Sequence, residues 1–230
     1  MKDIDKILNG INLKIKNKEF KKIEELWLFI SGLVTALNYC KNTSNHDFIV
    51  FFSEFEQYIK DHYKMRHFSS QYIISFNSKD MDCAIELYFN LLENFKKVYD
   101  KNKFQVIFND EESDFDKLSK EVKLLTLLEK NHFLNIYTFD DFMIFFNGYK
   151  YIQKNDEIVL FFDNLKNYVR NEYSFLVTKN KESEIHALRL LCSNYAVYFY
   201  GFFKNFYEAH LDSHANPLER KVIKSQKPQS

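Results

Sequence analysis

Residues 51–63, FFSEFEQYIKDHY, and residues 161–173, FFDNLKNYVRNEY, are one amphipathic helix written twice, 110 positions apart. Phe51/Phe161, Phe52/Phe162, Tyr58/Tyr168 and Tyr63/Tyr173 are identical, and Phe55/Leu165, Ile59/Val169 and Lys60/Arg170 are conservative exchanges. In each copy the apolar residues recur at helical spacing, with charged residues on the opposite face. Self-similarity at a long fixed spacing decides architecture before any motif does. A unit of this length, about 100 residues, is an ordinary size for one domain.

The match continues on both sides. Upstream, Ile23-Glu-Glu-Leu26-Trp-Leu-Phe-Ile30-Ser-Gly32 aligns with Phe139-Asp-Asp-Phe142-Met-Ile-Phe-Phe146-Asn-Gly148, and residues 3–26 have a counterpart of equal length in 119–142. The offset there is 116, so the first copy holds six more residues, assigned to the polar stretch 40–46, where an insertion is cheap. Downstream, Leu91-Leu-Glu-Asn-Phe95 matches Phe202-Phe-Lys-Asn-Phe206. The expectation is an all-α protein of two tandem, similar helical units of three to four helices each, packed together. The first unit is expected over 1–103, an acidic joint over 104–118, the second unit over 119–211 and a polar tail over 212–230.

Composition agrees with long helices. Only 4 Gly and 2 Pro interrupt 230 residues, and both prolines fall in the last fourteen. An apolar fraction of 46%, with 25 Phe and 15 Tyr, is ample for a core and too high for a disordered chain. The spacing predicts helices over 3–11, 24–38, 48–63, 80–101, 118–129, 138–153, 157–173 and one long helix from 183 to 210. Residues 69–76 are compatible with a serine-capped helix or a strand, with helix favoured. Phe104, Val106 and Phe108 alternate as in a short strand.

Charge bounds the partners. Lys plus Arg and Asp plus Glu both number 32, so the basic excess of a nucleic-acid binder is missing and no nucleic-acid partner is expected. The balance is uneven, because Arg220, Lys221, Lys224 and Lys227 face the single acid Glu219 from residue 214 onward. The amino terminus is charged without a signal-like apolar core, and the longest apolar stretch, residues 26–39, is too short to span a bilayer. No membrane partner is expected. Three unpaired cysteines, Cys40, Cys83 and Cys192, fit a reducing cytoplasm.

Signals for chemistry are weak. His210 and His214 stand four apart without a third ligand nearby, so no metal is expected. Cys83 stands at a helix start, a position that lowers a thiol pKa, but no nucleophile elbow, glycine-rich phosphate loop or HExxH accompanies it. No enzyme, no catalytic residue and no cofactor are expected. The acidic run Asp110, Glu111, Glu112, Asp114, Phe115 and Asp116 reads either as a solvated linker or as a docking surface for a basic partner, with Phe115 as an apolar anchor. The acids at helix starts, Asp80, Asp82, Asp140 and Asp141, join it as candidate contacts.

The ordered pattern of the first copy resembles a family of small bacterial immunity proteins encoded beside polymorphic toxins. The residues that carry the likeness are Ile7-Leu-Asn-Gly10-Ile11, the block Ile23–Gly32, and Phe52-Ser-Glu-Phe55-Glu-Gln-Tyr58-Ile59 with Tyr63. Ser70-Gln-Tyr72-Ile73-Ile74 and the run from Ala84 to Phe95 complete it. Two positions depart from the family pattern: residues 14–20 stand where a Pro/Tyr/Gly turn is frequent, and Tyr72 stands where tryptophan is frequent. The resemblance implies a helical antidote, without catalytic residues, that binds a cognate toxin domain and covers its active site or substrate surface. A helical scaffold or regulator that grips a peptide or a partner helix is the alternative. The oligomeric state is left open.

Overall fold

The computed structural model describes residues 2–39, 43–99, 117–129, 135–177, 183–193 and 196–209. Those residues form an all-α protein with ten α-helices and one 3-10 turn. The chain divides into two compact units, Met1–Asn109 and Asp110–Ser230. That division falls inside the stretch expected as the joint. The acidic run, the alternating Phe104–Phe108 segment, the His210/His214 pair and the tail lie outside the described residues.

The first unit contains α1 (Lys2–Lys16), α2 (Ile23–Tyr39), α3 (Thr43–His62), α4 (Ser70–Asn77) and α5 (Met81–Val98). The amphipathic stripe of α3 buries Phe51, Phe55 and Ile59 against α5, where Phe95 meets Phe51 at 5.1 Å and Tyr58 at 5.3 Å between ring centroids. From α2, Leu26, Phe29 and Leu33 complete the core. Helix α3 begins at Thr43, inside the polar stretch read as an insertion, so part of that insertion lengthens the helix. Residues 70–77 are helical, and Ser69 Oγ accepts from the Tyr72 N–H as the capping reading required.

The second unit contains α6 (Lys120–Glu129), α7 (Phe139–Ile152), α8 (Glu157–Glu172), a 3-10 turn (Ser174–Leu176), α9 (Ser183–Leu191) and α10 (Ala196–Ala209). Its core is largely a stack of rings. Phe142 lies within 6.5 Å, centroid to centroid, of Phe139, Phe145, Phe146, Phe162, Phe199 and Phe203. Asp156 caps α8 through the Val159 N–H, accepts from the Tyr149 hydroxyl of α7, and pairs with Lys120 of α6 at 3.4 Å. One carboxylate thereby ties three helices together.

Two expectations are corrected. The long helix expected from 183 to 210 is two helices, α9 and α10. Ser193 takes a left-handed φ of 50° and its N–H turns back to the Leu190 carbonyl, which ends α9. Each unit shows five helices rather than three to four. In the first unit the fifth is α4, the short segment over 69–76 whose sequence is also compatible with a strand, and in the second it comes from the division of 183–210 into α9 and α10. In a chain so poor in glycine, left-handed helix stops fall on other residues; Lys18 after α1 and Lys64 after α3 both have φ of 55°.

Matched positions of the two units share their environment. Leu26 and Phe142, Leu33 and Tyr149, and Ile59 and Val169 are all fully buried. The ring pair Phe51–Phe95 recurs as Phe161–Phe206 at 5.4 Å, and Tyr58–Phe95 recurs as Tyr168–Phe206 at 5.3 Å.

Gly201, inside α10, is helical without a packing reason, since a Cβ placed there meets no atom within 4 Å. Gly201→Ala is therefore expected to raise stability by about 0.5–1 kcal/mol through the lower backbone entropy of the unfolded chain. Urea unfolding of variant and wild type measures it.

Candidate functional site

Three of the acids expected at a partner surface have internal partners. Asp80 is the N-cap of α5 and accepts from the Cys83 N–H at 2.8 Å. Asp141 forms a capping box with Thr138, accepting from the Thr138 N–H at 2.9 Å while Thr138 Oγ1 accepts from the Asp141 N–H at 3.0 Å. Asp140 receives Nε and a terminal guanidinium nitrogen of Arg189, holding α9 to α7. Asp82, in the first turn of α5, is exposed. Cys83 runs against the sequence reading, because a hydrogen bond with the Asp80 carboxylate is the largest of the effects that raise its thiol pKa. Cys192 is buried, and burial pushes its thiol up to about 12. Among the described residues no three His, Cys, Asp or Glu side chains gather as a metal site, and no helix is long and apolar enough to cross a membrane.

Two other surfaces stand out. On the first unit, α4 turns Ser70, Ile73 and Ile74 inward and leaves an aromatic ladder outside. Phe68, Tyr72 and Phe76 are 47%, 48% and 67% exposed. Their rings lie 5.0 Å and 6.0 Å apart in sequence order, both tilted by only 17°. Tyr72 and Phe76 stand four apart within α4 and therefore one above the other, and Phe68, in the bend before the Ser69 N-cap, lays its ring on Tyr72. In the turn that precedes the ladder, Arg66 donates to Asp61 at 2.8 Å. Three parallel rings left in water form an apolar strip of the kind that marks an interaction site.

On the second unit, α6, α8 and α10 surround a cleft of about 660 Å³. Phe161, Tyr168, Phe206 and Tyr207 give it an aromatic floor. Along α8, Asn164, Asn167 and Asn171 form a row of carboxamides. Glu121, Glu157 and Glu172 place carboxylates around it, and among the described residues no lysine or arginine lines it. Two bases of α8 are engaged by acids outside the cleft: Lys166 pairs with Asp163 and Arg170 with Glu184, both at 2.6 Å.

The Arg170–Glu184 pair also ties α8 to α9. Burial works to raise the Glu184 pKa. Hydrogen bonds from its own backbone N–H and from Arg170, with the charges of Arg170 and Lys166, outweigh that and hold the carboxyl below its ordinary 4.5. A depressed carboxylate pKa stabilises the fold above the unfolded value, and the benefit disappears as pH falls through the folded one. Glu184→Gln is expected to cost about 1 kcal/mol at neutral pH, since Arg170 is largely exposed and the pair is partly screened. Below pH 4.5 the difference from wild type should close, as thermal melts across a pH series would read.

The sequence reading passed over both surfaces. It read the aromatics mostly as core, and placed the expected contacts on acids with Phe115 as the apolar anchor among them. The spacing of Phe68, Tyr72 and Phe76, and of Asn164, Asn167 and Asn171, was the available signal. No protein-family model, curated protein or solved structure matches the chain.

Proposed function

We propose that the protein is an antidote of the immunity type, which binds a cognate toxin domain and neutralises it by covering its active site or substrate surface. The observation that carries this reading is the exposed ladder Phe68–Tyr72–Phe76. Aromatic rings supply large contact area with few rotatable bonds, which is why they dominate tight protein interfaces. The ladder includes Tyr72, within one of the blocks that resemble the immunity proteins, although that position departs from their frequent tryptophan. Inhibition of this kind is achieved by occupancy and requires no catalytic step. A large face, apolar at its centre and polar at its rim, supplies the affinity.

The same reading takes the two units as descendants of one duplicated module. The recurrent ring pairs on Phe95 and Phe206 support it, as does the shared burial of the matched positions. The copies differ at their surfaces. Glu54, Gln57 and Asp61 in α3 correspond to Asn164, Asn167 and Asn171 in α8. Lys96, paired with Asp5 at 3.1 Å, corresponds to Tyr207, and Asp5 to Glu121. Selection that preserved both cores has let the faces diverge.

Co-expression with the toxin encoded beside this chain tests the function. Cells that carry both are expected to grow, and cells that carry the toxin alone are expected to die. Equal killing with and without the protein would refute the antidote reading. A scaffold that grips a peptide is the second reading, favoured by the cleft on the second unit. It differs in predicting micromolar peptide ligands and no protection.

A further inference from the structure

We infer that the cleft between α6, α8 and α10 holds an extended, lysine- or arginine-bearing segment of the partner protein. This rests on the binding reading for the identity of the partner, but the chemistry of the cleft stands on its own. Three features converge on one occupant. The first is the carboxamide row. A side-chain amide carries the donor and acceptor of a peptide group, so it can bond an extended backbone whatever that segment's sequence. From Asn164 to Asn171 the helix rises about 10.5 Å, and three residues of extended chain cover about 10 Å. The row and a strand-like segment therefore keep step over that distance. Asn167 accepts from Arg170 at 3.4 Å through its oxygen, which leaves its NH₂ to donate.

The second feature is the aromatic floor of Phe161, Tyr168, Phe206 and Tyr207. Lysine and arginine stems lie well on such rings, and their charged heads are attracted to ring faces. The third is charge. Glu157 and Glu172 line the cleft with no base among its described lining residues, and Lys120, Lys166 and Arg170 are held by Asp156, Asp163 and Glu184. A cationic segment would meet carboxylates there, and an acidic one would be repelled. The corresponding surface of the first unit does not share this pattern, because there Lys96 pairs with Asp5, and Asp61 takes both Gln57 and Arg66.

The test uses the full-length protein, isotopically labelled, and two synthetic peptides, Gly-Arg-Lys-Arg-Gly and Gly-Glu-Asp-Glu-Gly, with blocked ends. Addition of the basic peptide is expected to shift the side-chain NH₂ signals of Asn164, Asn167 and Asn171, and the acidic peptide is expected to leave them in place. The double variant Glu157→Gln, Glu172→Gln should bind the basic peptide about tenfold more weakly at low salt. It should weaken the toxin complex in the same direction. Still signals, or equal responses to the two peptides, would overturn the proposal. So would peptide shifts that emerge only after Lys221, Lys224 and Lys227 are changed to glutamine, since the cleft would then belong to the chain's own basic carboxy-terminal residues. Peptide binding without a toxin complex would retain the cleft and reject the antidote. A toxin complex indifferent to the double variant, with no peptide response, would do the reverse.

Discussion

Phe142→Ala is expected to lower the stability of the second unit by about 3–5 kcal/mol. Phe142 is fully buried, and six other phenylalanine rings from α7, α8 and α10 pack around it. Truncation removes the transfer free energy of the ring and leaves a void that neighbours on three helices close only in part. Small domains have about 5–15 kcal/mol in total, so much of the unit's margin would go. Chemical denaturation followed by circular dichroism reads the loss, and Leu26→Ala at the matched position of the first unit is a natural companion. Leu26 is also fully buried, and its smaller side chain predicts a smaller penalty of about 2–5 kcal/mol. A Phe142→Ala protein with wild-type stability would mean that the ring stack is not the core of that unit.

The second large effect concerns binding. Changing Tyr72 and Phe76 together to alanine is expected to weaken the toxin complex by at least 2 kcal/mol, or about thirtyfold. Both side chains are largely exposed and neither belongs to the buried set of α4, so the fold should tolerate the change. Their removal would even lessen the apolar surface presented to water. A matched control is Leu190→Ala, an exposed apolar residue of α9 that belongs neither to the ladder nor to the lining of the cleft. Calorimetric titration of the purified toxin domain with each variant separates the cases. Unchanged affinity in the Tyr72/Phe76 variant would remove the ladder from the interface.

The architecture was more legible than the site, for physical reasons that particular residues make plain. Helices α3 and α8 announce themselves because both carry a long apolar stripe that only a 3.6-residue period places on one side. Thr138-Phe-Asp-Asp141 announced the start of α7, and the capping box is formed as those residue types allow. Between α9 and α10, by contrast, apolar residues continue on both sides of the break, and only the short polar pair Ser193-Asn194 interrupts them. A left-handed serine is a local decision that periodicity does not encode. The site was obscured by a similar ambiguity. An acid at a helix start serves equally well in capping or as a contact, and Asp80 is an N-cap while Asp141 is the third-position acid of a capping box. A phenylalanine is assigned to the core until the burial of Ser70, Ile73 and Ile74 fixes which face of α4 turns inward. The asparagines of α8 stood opposite the stripe from the outset, but their meaning depends on an aromatic floor that α8 shares with Phe206 and Tyr207 of α10, over thirty positions away in sequence.

The proposed antidote role is tested most directly by the affinity of the wild-type protein for the purified product of the neighbouring gene, taken together with that product's residual toxic activity. A dissociation constant in the nanomolar range or below, with activity falling in step with occupancy, is the predicted result. No complex at micromolar concentrations, or a saturated complex whose toxin remains fully active, would contradict it.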